Sequence, residues 1–110
     1  ERNNMPIIYA IDFDGTLCEQ QYPSIGKPNL ELIEWAKVQK EKGNKLILWT
    51  CREGELLQNA VQFCENHGLI FDAVNENLPE RILQFGTNPR KIGADYYIDD
   101  KNLEIASLFV

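Results

Sequence analysis

The chain has 110 residues and a formal net charge of −6, with 44% hydrophobic and 25% charged residues, the balance of an ordinary globular domain. That length holds one core and leaves no room for a second domain, so residues 1–110 read as a single unit. An acidic chain without a basic stripe is a poor match for broad nucleic-acid binding, and no apolar run approaches the ~20 residues of a membrane span.

No basic-then-apolar secretory leader opens the sequence. Cys18, Cys51 and Cys64 are odd in number and unrelated in spacing. They suit neither a disulfide framework nor a zinc site, and predict free thiols and a cytoplasmic address.

Pro6-Ile7-Ile8-Tyr9-Ala10-Ile11 is an almost unbroken apolar run, the signature of a strand buried on both faces in a parallel sheet. It ends in Asp12-Phe13-Asp14-Gly15-Thr16. Residues i and i+2 of a strand point the same way, so Asp12 and Asp14 are expected to share one small volume at the strand's carboxyl end, where open α/β sheets bind ligands. Two close carboxylates tolerate one another mainly with a cation between them or a shared proton.

Cys18 to Gly26 is long enough for a turn and a small hairpin. Pro28-Asn29 starts a helix and Gly43-Asn44 stops it, with Leu30, Ile33 and Ala36 on its apolar face. Lys45 to Thr50 is a second strand. Cys51-Arg52-Glu53-Gly54 follows, then a helix whose Leu57, Ala60, Val61 and Cys64 fit the i, i+3, i+4, i+7 pattern and which ends at Asn66-His67-Gly68. His67, the only histidine, sits where a cation suits the helix dipole and reads as structural. Leu69 to Val74 is a third strand, Asn75-Glu76-Asn77 a loop, and Pro79 the first position of a helix reaching Phe85. Asp95 to Ile98 is a fourth strand ending in Asp99-Asp100. Leu103 to Val110 is an apolar tail, a short helix or a last edge element.

Strands alternating with helices imply a parallel sheet joined by right-handed crossovers. Asp12 and Asp14 then end strand one, Thr50 ends strand two, Asp99 and Asp100 end strand four, and Lys91 lies just before strand four. The chemically useful side chains gather at one rim.

In these residues and their order the chain resembles the haloacid dehalogenase (HAD) superfamily. Asp12-Phe13-Asp14-Gly15-Thr16 resembles its first signature, Thr50 after Leu46-Ile47-Leu48-Trp49 the second, Lys91 the third, and Asp99-Asp100 after Tyr96-Tyr97-Ile98 the fourth. The resemblance runs from about Ile7 to Asp100. It implies a Rossmann-like three-layer sandwich with a mainly parallel sheet of four to five strands, in a minimal version of the superfamily's fold. It also implies a phosphatase acting on a phosphorylated metabolite such as a sugar phosphate or nucleotide. Asp12 would be the nucleophile, forming an aspartyl-phosphate, and Asp14 the general acid and then base. Thr50 would donate to the phosphoryl oxygens and Lys91 would neutralise them.

Asp12, Asp99 and Asp100 can hold one Mg²⁺, which prefers oxygen ligands, and the resemblance adds the Asp14 backbone carbonyl. Asp100 is the favoured direct ligand, with Asp99 direct or through water. Backbone N–H groups around Phe13 and Asp14 would help hold phosphate, and Cys51 reads as a small residue that lets the backbone approach it. Arg52 either contacts substrate bidentately or braces its loop through a carboxylate such as Glu53 or Glu19. Tyr22 lines the entrance or packs locally.

Residues 17–28 are too few for a cap domain, and 51–90 are consumed by helix, strand and helix, so the protein reads as capless. An open site excludes water poorly; it suits large substrates or closure by a second copy of the chain. Two other readings compete. A receiver domain uses similar groups, with an acidic pair on its first strand, a phospho-accepting aspartate on its third, then threonine and lysine; this chain has no isolated acceptor aspartate between its first and second strand ends and closes with an acidic pair after the lysine. A HAD-like scaffold without activity would be a binding module, since fold does not fix function.

Overall fold

A computed structural model describes residues 5–109. Four parallel strands, β1 (Ile8–Ile11), β2 (Lys45–Leu48), β3 (Ala73–Val74) and β4 (Tyr96–Ile98), form one sheet in the order β3-β2-β1-β4. Helices α1 (Leu30–Glu41), α2 (Gly54–Asn66) and α3 (Pro79–Phe85) connect them. This is the expected α/β architecture, a Rossmann-like sandwich with an all-parallel sheet. Among the described residues, no helix is long and apolar enough to cross a membrane.

Strand alternation divides the core in two. Ile11, Leu46 and Leu48 face the same way as Ile33 and Ala36 of α1 and Ala60 and Cys64 of α2. Ile8, Ala10, Ile47 and Ala73 point to the opposite face, where Leu78 and Ile92 cover them. Each buried aliphatic side chain contributes ~1.5–3 kcal/mol, so the face with α1 and α2 carries most of the stability. The α3 helix buries none of its own residues. On α1 the apolar stripe is narrower than its spacing suggests: Ile33 and Ala36 are buried while Leu30 is exposed, and Gln39 is buried instead, its Oε1 accepting from Asn44 Nδ2 at 2.9 Å. Cys64 is a core residue whose thiol is pushed up to about 12 by burial. His67 caps α2, with Nδ1 2.9 Å from the Phe63 carbonyl.

Every strand is shorter than its apolar run, and polar side chains at the strand ends account for part of the difference. Asp72 accepts the Leu46 N–H on Oδ2 at 2.8 Å, so the β2–β3 ladder begins only at Ala73. Asp95 accepts the Ile8 N–H on Oδ2 at 2.8 Å, and β4 begins at Tyr96. A carboxylate in each case replaces a rung that backbone would otherwise supply. The hairpin expected after Asp14 is present, closed by Glu19 N–H to Lys27 O and Asn29 N–H to Leu17 O, at 2.8 and 2.9 Å. Of the apolar tail, Ile105–Phe109 forms a 3₁₀ helix with exposed Ile105, Leu108 and Phe109; Val110 lies outside the described residues.

Candidate functional site

The strand order explains how carboxylates distant in sequence meet. Strands β1 and β4 are neighbours, and the Asp12 N–H extends their ladder by donating to Ile98 O at 2.9 Å. Asp12 therefore leaves the sheet beside Asp99 and Asp100. One carboxylate oxygen from each of these three residues lies within 4.8 Å of the others. Gly15 makes the approach possible: its φ is +83°, and a Cβ there would lie 2.2 Å from Asp100 Oδ2. A left-handed conformation and a close neighbour both call for glycine.

Burial pushes the Asp12 carboxyl up to about 6; the Asp99 and Asp100 charges add to the rise, while hydrogen bonds from the Phe13 backbone and Thr16 oppose it. The Thr16 hydroxyl donates to Asp12 Oδ2 at 3.4 Å. For Asp100, desolvation acts upward, but hydrogen bonding with Asp99 and Lys101 outweighs it and holds the carboxyl below its ordinary value. Lys101 Nζ lies 3.3 Å from Asp100 Oδ2. Three hard oxygen donors this close could hold one magnesium or similar hard cation, so the residues present fit the metal that the sequence suggests.

These groups line a cavity of about 460 Å³ together with Asp14, Gln20, Tyr22, Thr50, Cys51 and Arg52, a volume in the range of small-molecule sites. Asp12 and Asp14 both reach it, as their spacing predicts. Phe13 between them is buried in the core. The Asp14 side chain, however, is not in the acidic trio. Arg52 Nε donates to its Oδ2 and Nη2 to its Oδ1, each at 2.8 Å. The cation that makes Asp14 tolerable near Asp12 is thus a guanidinium. Those bonds raise Arg52 above its ordinary value in spite of its burial. Arg52 does brace a loop through a carboxylate, but through Asp14 rather than Glu53 or Glu19.

Thr50 lies just past β2 with its Oγ1 accepting the Arg52 N–H at 3.1 Å, which leaves its own hydrogen free to donate. Asn75, at the end of β3 with φ +55°, holds this turn from the side: its Oδ1 accepts the Thr50 N–H at 2.8 Å and its Nδ2 donates to Arg52 O at 3.3 Å. Sequence reading treats Asn75 as plain loop, although asparagine is among the non-glycine residues most ready to adopt positive φ and that is its one visible signal. Lys101 and Gln20 are likewise cavity residues that sequence reading passes over.

Lys91 is not brought to this cavity. It is exposed and lines a second, smaller one with Asn77, Arg81, Phe85, Thr87, Pro89 and Gly93. Its neighbour Ile92 is buried against the second face of the sheet, and the Gly93 N–H is held by Asn77 Oδ1 at 2.7 Å. These contacts anchor the approach to β4 beside α3, where Lys91 sits. The cationic side chains lining the acidic cavity are Arg52 and Lys101.

No family model matches the chain, and no curated protein matches it. A solved structure, that of a conserved protein from Bacteroides thetaiotaomicron, is similar, with 42% sequence identity and a TM-score of 0.80 over 89% of this chain and 78% of that one. At that identity and coverage, the chain belongs to the same family as the conserved Bacteroides protein.

Proposed function

We propose that the protein is a magnesium-dependent phosphomonoester hydrolase of the haloacid dehalogenase type, acting on a small phosphorylated metabolite. The observation that carries this reading is the meeting of Asp12, Asp99 and Asp100 oxygens within 4.8 Å, in a cavity that also receives Thr50 and Asp14. Asp12, Asp99 and Asp100 would hold the metal, which supplies positive charge against the phosphoryl group. An Asp12 oxygen attacks phosphorus, the bond to the leaving oxygen breaks, and water then hydrolyses the aspartyl-phosphate. Thr50 donates to a phosphoryl oxygen and Lys101 adds positive charge at the rim, the task that the resemblance gives to Lys91. Asp14 handles the proton of the leaving oxygen and then that of water. Both its oxygens accept from Arg52, and each keeps a further lone pair to face the reacting oxygen. The three free cysteines support a reducing, cytoplasmic setting.

A metal-binding module without turnover is the second reading, favoured by the distant seat of Lys91 and the hold of Arg52 on Asp14. Phosphate release across a panel of sugar phosphates and nucleotides, with Mg²⁺ or with chelator, separates the two. Metal-dependent release that disappears in Asp12→Asn is the expected result. Metal binding without release from any substrate would establish the module instead.

A further inference from the structure

Arg52 is 2% exposed, yet none of its side-chain bonds goes to the acidic trio. Its guanidinium joins three separate segments: Asp14 after β1, the Ser24 carbonyl at 3.0 Å, and the Leu56 carbonyl in the first turn of α2 at 3.4 Å. Its Cζ lies 5.1 Å from the ring centroids of both Phe13 and Tyr22. Phe13 is core, while Tyr22 is exposed and lines the cavity. Only a planar fork can meet these acceptors while stacking on aromatic rings.

The loop from Gln20 to Ser24 has little else to fix it. All its residues are exposed. Among the described residues, the hydrogen bond reaching it from elsewhere is the one from Arg52 to Ser24; the Tyr22 N–H is satisfied within the loop by Gln20 Oε1. Gln20 and Tyr22 nevertheless form one wall of the cavity. The seat of that wall depends on Arg52, and the orientation of Arg52 depends on the two bonds it makes to Asp14.

We propose that Arg52 is a positioning residue that couples the Gln20–Ser24 loop to the Asp14 carboxylate, so that seating the loop over the cavity and aiming Asp14 are a single event. A substrate that presses on the loop through its leaving group thereby sets the residue that manages the leaving oxygen's proton. The consequence for turnover rests on the hydrolase reading, whereas the coupling belongs to the unliganded chain.

Backbone ¹⁵N relaxation of the segment 19–26 tests the coupling directly in the wild type, Asp14→Asn, Arg52→Lys and the double variant. Asp14→Asn is nearly isosteric, and thermal melts verify the fold of each protein. The expected result is a fall of the loop order parameters from about 0.85 to below about 0.6 in Asp14→Asn, a similar fall in Arg52→Lys, and no further fall in the double variant, because coupled sites are non-additive. Loop order parameters unchanged in Asp14→Asn, or additive effects, would overturn the coupling. With p-nitrophenyl phosphate and Mg²⁺, Arg52→Lys lowers kcat and raises KM together; a rise in KM alone would overturn the positioning of Asp14. Absence of wild-type turnover on every substrate would remove the hydrolase reading and leave the relaxation result to judge the coupling.

Discussion

Gly15 and Asp100 come from opposite ends of the chain and touch: the position of a Gly15 Cβ lies 2.2 Å from Asp100 Oδ2 and 2.9 Å from its Cγ. The backbone turn after the first acidic pair and the last acidic pair are therefore fitted to one another. Gly15→Ala combines strain at φ +83° with displacement of the Asp100 carboxylate. We expect a loss of ~1–3 kcal/mol in stability, read by urea denaturation. Calorimetry should show at least tenfold weaker Mg²⁺ binding in the same variant.

Asp12 makes the ligand-free protein less stable at neutral pH. Its carboxyl is raised from 3.8 to about 6, so the folded chain holds more protons than the unfolded chain between those values. Its contribution to stability therefore falls as pH rises through that window and is at its worst above pH 6. In chelator, Asp12→Asn is expected to be more stable than the wild type by ~1–2 kcal/mol at pH 7.5, a discounted figure because the group is only half-buried. The advantage should vanish near pH 3.5. Thermal melts across that range measure it, and Mg²⁺ affinity should weaken below pH 6 as protons compete for the same oxygens.

The two lysines in question should separate cleanly. Lys101→Ala removes the ammonium 3.3 Å from Asp100, and a ~fivefold fall in kcat/KM is expected, the modest effect of an exposed charge. Lys91→Ala alters a residue of the other cavity and should change kcat/KM less than twofold. A larger effect of Lys91→Ala in parallel assays would show that it reaches the reacting group.

The strand-end aspartates predict a stability pattern. Asp95→Ala leaves the Ile8 N–H without its 2.8 Å partner, at an expected cost of ~1 kcal/mol. Asp72→Ala loses the Leu46 N–H bond and also the ion pair to Lys40 at 2.9 Å, and should cost more. Urea midpoints of the two variants, with unchanged slopes, check the order.

The elements and their order were legible because each rests on local periodicity: the stripe through Ala60 and Cys64 and Pro79 at its helix start formed as read, and the apolar run before Asp12 formed a strand over its last four residues. The acidic trio was legible for a different reason. Parallel strands deliver their carboxyl ends to one rim, and Asp12, Asp99 and Asp100 all end strands. What escaped the sequence was pairing across the fold. No local pattern tells that Arg52 closes on Asp14, that Asn75 clamps the turn at Thr50, or that Asp72 and Asp95 shorten their strands by taking a rung. Lys91 escaped for a related reason: it lies on the approach to a strand rather than at a strand's end, and the burial of its neighbour Ile92 settles where it sits.

Strand β4 lies at the edge of the sheet and is held through three residue pairs with β1 alone, yet Asp99 and Asp100 hang from its end. Two of the three clustered carboxylates thus ride on an edge strand. An ion gripped by Asp12 as well would staple that edge to the sheet's interior, and the free energy of amide protection at Ile98 should grow with the logarithm of free magnesium once it exceeds the dissociation constant.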